Sequence, residues 1–181
     1  MGGVLQTVAI LGAGDEGVVA ARLAALAGTS VRLWDSSEAS LRAGVLLVRI
    51  QLERAVREGS APPEHRQQIM DGVLATADLA EALSGADVVL DAGAAEPRIR
   101  REVLARAAAL EPSVPLVTTG PVADLAAVLP DPSRLAGLVL GDRPGLRSAE
   151  PVAGPATGAG ALEAARDLAA LLASAAVVHQ A

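Results

Sequence analysis

Short apolar runs alternate with amphipathic stretches from one end of the chain to the other. Thr7–Leu11 and Val31–Trp34 have strand length, as do Val73–Ala75, Val88–Leu90, Leu116–Thr118 and Leu135–Leu140. Between them the apolar positions recur at helical spacing. Val18, Val19, Leu23 and Leu26 mark one face of a helix over Gly14–Ala27. A long helix follows over Ser37–Arg57, then Gly-Ser-Ala-Pro-Pro and a short helix near Glu64–Met70. Further helical patterns cover Leu79–Leu83, Pro97–Leu110, Ala123–Val128 and Ala161–Leu172, and Val177–His179 reads as a last short strand. Gly141–Gly160 is rich in Gly and Pro and reads as irregular. Strands alternating with helices predict an α/β fold whose mostly parallel sheet is covered on both faces.

One turn in this pattern carries a specific signal. The first strand runs into Gly12-Ala-Gly14-Asp15-Glu16-Gly17 and then directly into a helix. Gly12 permits the tight turn, Gly14 lets a diphosphate approach the backbone, and Gly17 allows close helix–strand packing. The helix start supplies amide donors and a positive dipole end for that diphosphate. Asp35 closes the second strand 18 residues after Gly17. An acid there accepts hydrogen bonds from an adenosine ribose and repels a 2′-phosphate, which favours NAD over NADP. Strand, turn, helix and acid together predict a doubly wound Rossmann sheet with NAD as cofactor. The plainer reading is a glycine turn without a ligand. Asp15 and Glu16 lie beside the expected diphosphate as like charges, so weak NAD binding is expected.

Composition narrows the chemistry. The chain has 181 residues, enough for one domain with its own core, and the sequence predicts a single dinucleotide-binding domain over residues 1–181. It contains no Cys, Phe or Tyr, and no Lys or Asn, so all 15 basic residues are Arg. Thiolate nucleophiles, disulfides, zinc knuckles, Schiff bases and P-loop lysines are thereby excluded. His65 and His179 are far apart, which excludes a local His-based metal motif. The bias toward Ala, Arg, Gly, Leu and Val suggests a GC-rich genome and a bacterial source. A net charge of -6 argues against nucleic acid as a main partner. No stretch approaches the roughly 20 apolar residues of a membrane helix, and the start lacks a basic signal-peptide region. A cytoplasmic protein is expected.

The chain resembles the N-terminal NAD-binding domain of the 3-hydroxyacyl-CoA dehydrogenases over nearly its whole length. The resemblance rests on the long helix after the second strand with Leu52-Glu-Arg-Ala-Val-Arg-Glu-Gly, on the short helix behind it, and on Leu74-Ala-Thr-Ala-Asp through Asp87-Val-Val-Leu-Asp91. Ser133-Arg-Leu-Ala-Gly-Leu138 adds to it. It implies a helical-hairpin insertion after the second strand, an acyl-thioester or other small-molecule substrate, and hydride transfer to NAD with a histidine taking the proton. By position the family's histidine is Val139, its asparagine Asp142, and its orienting glutamate Pro151, with Glu150 one residue short. Thr118 or Thr119 replaces its serine hydroxyl. Its cofactor-contacting glutamate aligns with Ala95, beside Glu96, and its cofactor-contacting lysine with Arg100, which keeps the charge. The chain ends where the family's helical C-terminal domain begins. Loss of a general base removes about 10²–10⁴ in rate, so altered or partner-dependent activity is expected. A non-redox protein or pseudoenzyme on the same scaffold is the competing reading.

Thr118, Thr119 and Asp142 are therefore the catalytic candidates, and Gly12, Gly14, Asp15, Glu16, Gly17, Asp35 and Arg100 the cofactor-binding ones. Arg98, Arg100 and Arg101 form either a phosphate site or a solvated basic turn. Asp142, Arg143, Arg147 and Glu150 form either a polar site or a charged loop. His65 reads as surface; His179 reads as strand-end surface or as a group reaching a neighbouring subunit's cleft. Trp34 suits helix–sheet packing better than an adenine contact. The apolar fraction of 51% predicts exposed apolar surface, and with it a homo-oligomer or a partner complex.

Overall fold

A computed structural model describes residues 4–59, 66–93, 96–141 and 148–178. Its centre is a seven-stranded sheet, β1(Thr7–Leu11), β2(Ser30–Trp34), β3(Val73–Thr76), β4(Val88–Asp91), β5(Leu116–Thr118), β6(Leu135–Gly141) and β7(Ser148–Val152), in the order β3-β2-β1-β4-β5-β6-β7. The first six strands are parallel to their neighbours, and β7 pairs antiparallel with β6. This is the doubly wound order, and strand order reverses between β1 and β4. Ligands bind such sheets in the crevice at the carboxyl ends of those two strands.

The helices are α1(Asp15–Leu26), α2(Glu38–Arg57), α3(Arg66–Asp71), α4(Leu79–Leu83), α5(Pro97–Leu110), α6(Val122–Ala126) and α7(Ala159–Val178). They divide the core into two clusters. Ile10, Leu23, Leu33, Val48, Leu52 and Leu168 belong to the one shared by α1, α2 and α7. Leu11, Trp34, Leu83, Leu104, Leu116 and Leu135 belong to the one under α4 and α5. Trp34 is buried and donates from its indole N–H to Ala77 O at 2.9 Å, so it packs as expected. In α2, Leu41, Gly44, Val48, Leu52 and Ala55 form one buried stripe at helical spacing. Ser37 starts that helix, its hydroxyl accepting from Ser40 N at 3.2 Å. Arg22 is buried in α1, and desolvation lowers its pKa from the ordinary arginine value.

Two sequence expectations need correction. Residues 177–178, read as the start of a last strand, continue α7. The apolar period through Ala161, Ala164, Ala165, Leu168, Leu172, Ala175 and Ala176 meets no breaker, so two β-branched residues do not end the helix. The irregular reading of 141–160 missed β7. Pro151 disguised it, because proline has no ladder donor to offer; β7 is an edge strand, where that loss is tolerated. His65, His179, Asp142, Arg143 and Arg147 lie outside the described residues. Among the described residues no helix is long and apolar enough to cross a membrane, and no group of three or more His, Cys, Asp or Glu could hold a metal ion.

Candidate functional site

The cleft opens where strand order reverses. It measures about 710 Å³ and is lined by Gly12, Gly14, Asp15, Glu16, Asp35 and Arg100, with Ser36, Ser37, Ala92, Gly93 and Ile99 at its sides. All seven candidate cofactor residues but Gly17 line it. Gly17 has a different task, facing inward.

The three glycines do separate work. Gly12 has φ +113°, and a Cβ there would stand 2.6 Å from Ala92 O, so the loop crosses the end of β4 at backbone contact. A Cβ on Gly17 would fall inside the van der Waals shell of Gly12 O, which locks α1 against the turn. Gly14 has nothing within 4 Å of an added Cβ. Its open face looks into the cleft. Gly44 on α2 is a fourth such residue, with its Cβ position 2.6 Å from Ala13 O. It presses α2 onto the loop. Sequence reading missed it, because a single Gly inside a helical stripe carries no distinctive spacing.

Asp35 is half-buried and ties the loop to the end of β2. One carboxylate oxygen accepts from Ala13 N at 2.9 Å and the other from Ser37 N at 2.8 Å. Each oxygen retains a lone pair, so the carboxylate can still accept from ribose hydroxyls. No side chain caps α1: Gly14 holds the N-cap position without a side-chain hydrogen bond. Asp15 is exposed, and Glu16 is half-buried. An uncapped helix start, an open Gly14 and an acid with spare acceptor capacity fit the diphosphate and ribose of NAD. Two carboxylates on the first turn oppose the diphosphate without closing the space in front of Gly14.

At the carboxyl ends of β4 and β5 lies a buried polar cluster. Asp91 is 1% exposed, and its Oδ2 accepts from Arg100 Nε at 2.7 Å and from the Thr118 hydroxyl at 2.6 Å. Arg100 Nη2 donates to Asp91 O at 3.1 Å and to Thr119 Oγ1 at 2.8 Å. Gly93 N donates to Asp91 Oδ1, and Gly120 N to Thr118 Oγ1. The guanidinium lies against Gly120, where a Cβ would be 2.7 Å from Arg100 Cζ. Arg100 thus lines the cleft, yet its Nε and Nη2 are turned inward to a carboxylate that the sequence reading did not single out. Nothing in an Asp at the end of an apolar strand announces a buried ion pair nine residues ahead.

Other candidates fall elsewhere. Glu96 caps α5, accepting from Arg98 N and Ile99 N, ahead of Pro97 at the first helical position. Arg98 pairs with Glu102 on an exposed face, and Arg101 donates to Pro97 O. Both sit on a solvated basic turn. Val139 is 55% exposed on β6 and faces the exposed Glu150 of β7 in register.

A second recess, of about 360 Å³, opens beside the polar cluster between the β5–α6 turn and the β6–β7 pair. Thr118 and Thr119 line it together with Pro121, Gly137, Val139 and Val152.

Comparison with known proteins agrees with this geometry. A 3-hydroxyadipyl-CoA dehydrogenase of Escherichia coli is 29% identical over 164 residues, 88% of this chain and 34% of that protein. A 3-hydroxybutyryl-CoA dehydrogenase of Mycobacterium tuberculosis is 29% identical over 143 residues, 76% of this chain and 50% of that protein. The chain therefore spans between about a third and a half of these relatives. The crystal structure of a 3-hydroxybutyryl-CoA dehydrogenase from Escherichia coli superposes with a TM-score of 0.83 at 28% identity, over 93% of this chain and 36% of that one. Residues 7–181 match the family model described as 3-hydroxyacyl-CoA dehydrogenase, NAD binding domain, and the chain belongs to that family.

Proposed function

We infer that this chain is a single dinucleotide-binding domain of a cytoplasmic, bacterial oxidoreductase that acts with NAD(H) on the 3-hydroxy or 3-keto group of an acyl thioester, using altered or partner-supplied catalytic groups. The observation that carries this reading is the cleft at the point of strand reversal, where the open face of Gly14, the uncapped start of α1 and the Asp35 carboxylate converge. The names of the relatives supply the substrate class. NAD held there would supply hydride transfer.

The protein's own residues bind and orient. The amides at the uncapped start of α1 would hold the NAD diphosphate. Asp35 would accept from the ribose hydroxyls and would repel a 2′-phosphate. Gly12 and Gly17 hold the loop rigid, and Asp15 and Glu16 weaken the diphosphate contact. Arg100 keeps a fixed positive charge at the inner wall. Proton transfer falls to Asp142 or to a group from a second chain. The exposed faces of Leu46, Leu47 and Ile50 on α2 support a homodimer or a partner complex, to be checked by light scattering.

A non-redox use of the same cleft is the second reading. It is favoured by the recess beside Thr119, whose described lining residues include no titratable side chain.

Calorimetry with NADH and NADPH separates the two. NADH should bind more tightly than NADPH, and Asp35→Asn should shrink that preference by tenfold or more. Asn is the better substitution because Asp35 also holds the loop, and Asn keeps an acceptor for it. If NADH does not bind at millimolar concentration, the redox reading fails. If it binds, oxidation of NADH by acetoacetyl-CoA reports hydride transfer.

A further inference from the structure

Helix α2 is apolar on two opposite sides. One is the stripe from Leu41 to Ala55 that faces the protein's own core. On the other, Ala39, Ala43, Leu46 and Ile50 recur at spacings of four, three and four, the rhythm by which one helix seats its side chains against another. All four are exposed, Leu46 at 59% and Ile50 at 51%, and Leu47 beside them is exposed as well. The seam they form runs about 17 Å along the helix axis. Ala43 and Leu47 also line the cleft, so a helix seated on this seam borders the cleft mouth.

The charges along both sides of this seam have one sign. Arg42 and Arg49 follow one side, and Arg54 stands on the other, in line with Leu47; all three are exposed. Glu53 and Arg57 close the C-terminal end. Arg42 and Arg54 pair with Glu38 and Glu58 one turn away, at 3.1 and 2.6 Å, but these pairs are solvated, and such pairs yield readily to a better-placed partner. In a chain of net charge -6, a cationic border is a local feature. Border charges select the partner of a helical seam, and like charges brought face to face penalise the wrong one. A second copy of α2 laid antiparallel sets Arg42 and Arg49 against the same two arginines. Laid parallel, it sets Arg49 against Arg54. A helix with the same apolar rhythm and carboxylates at its borders meets no such conflict.

We propose that the outer face of α2 docks an acidic amphipathic helix of a partner protein, its apolar side chains on Ala43, Leu46 and Ile50 and its carboxylates on Arg42, Arg49 and Arg54. The inference rests on the reading above that α2 carries a homodimer or partner interface. It chooses the partner and gives its chemistry.

The test is fluorescence anisotropy of two labelled, stapled helical peptides of about four turns, titrated with the full chain. Both carry Leu at the spacing of the seam; one carries Glu at the bordering positions and the other Lys. The acidic peptide should bind at least tenfold tighter, an advantage that shrinks as salt rises. Leu46→Ser should weaken it tenfold or more. Arg42→Glu combined with Arg49→Glu should transfer the preference to the lysine peptide, a gain that a misfolded chain cannot show. Equal affinity for the two peptides, no binding of either, or acidic-peptide binding untouched by Leu46→Ser overturns the proposal. Binding of phosphatidylglycerol vesicles in place of the acidic peptide overturns it too. Light scattering keeps the failures apart. A dimer that Leu46→Ser dissolves overturns this inference and upholds the homodimer, whereas a monomer that binds neither peptide overturns both. NADH binding on the same samples bears on the redox reading alone.

Discussion

Glycine at three places in one loop has three different physical meanings, and substitution separates them. At Gly17 a methyl group collides with the Gly12 carbonyl oxygen, so loss of function there reports a broken fold. At Gly14 the same methyl meets no protein atom, and φ is -79°, which any residue adopts. Gly14→Ala should therefore cost less than about 1 kcal/mol in denaturant unfolding, the usual difference between Gly and Ala at a helix N-cap. It should nevertheless raise the Kd for NADH at least tenfold, because the methyl stands where the diphosphate approaches. Unchanged affinity would place the cofactor somewhere else. The sequence contained this loop in readable form, because glycine spacing and a terminal acid are local. It did not contain the Asp91–Arg100 pair, whose partners meet only when β4 is laid beside β5 and α5 starts on top of them.

Elements follow the same division between local and remote causes. The central parallel strands β1, β4 and β5 were legible because both of their faces are buried, which leaves uninterrupted apolar runs. β7 was not legible, since its pattern depends on pairing with β6 and its Pro151 is acceptable only at an edge. The entry to β6 depends on a small charged device. Asp131 accepts from Ser133 N at 3.0 Å and from the Ser133 hydroxyl at 2.6 Å, fixing the turn Pro132–Arg134; Ser133 O in turn accepts from Gly158 N ahead of α7. These hydrogen bonds, hydroxyl first, lower the Asp131 pKa below its ordinary 3.8. A carboxylate whose folded pKa is depressed contributes stability above its unfolded value and loses it as pH falls through the folded one. Asp131→Ala should thus lower the denaturant midpoint near neutral pH. The gap to wild type should close as the pH is taken below about 4. A gap that stays constant with pH would mean that the ionised form has no advantage.

For the whole molecule, charge is the property that bears on ligand choice. A net charge of -6, with Asp15 and Glu16 at the mouth of the cleft, repels an anionic cofactor before any contact forms. The Debye length falls from about 30 Å at 0.01 M salt to about 8 Å at 0.15 M. NADH affinity should accordingly improve by a few-fold over that range, and Asp15→Ser should flatten the dependence. A steady loss of affinity with salt would show that attraction by α1 and the arginines prevails. The absence of lysine has a structural counterpart at this scale: where one cation must hold a carboxylate and two hydroxyl-bearing residues together, a planar guanidinium meets the geometry.

Arg100 borders two spaces, the cleft with its exposed edge and the recess through Thr119. A ligand in the cleft that pulled on the guanidinium would also change how firmly Thr119 is held. Thermodynamic linkage allows no one-way traffic between two binding equilibria: were the recess to take a ligand of its own, that ligand would alter the cleft's affinity by the same factor. The wall between the two spaces would then also be the route by which each senses the other, and ordered binding would be a property of one side chain.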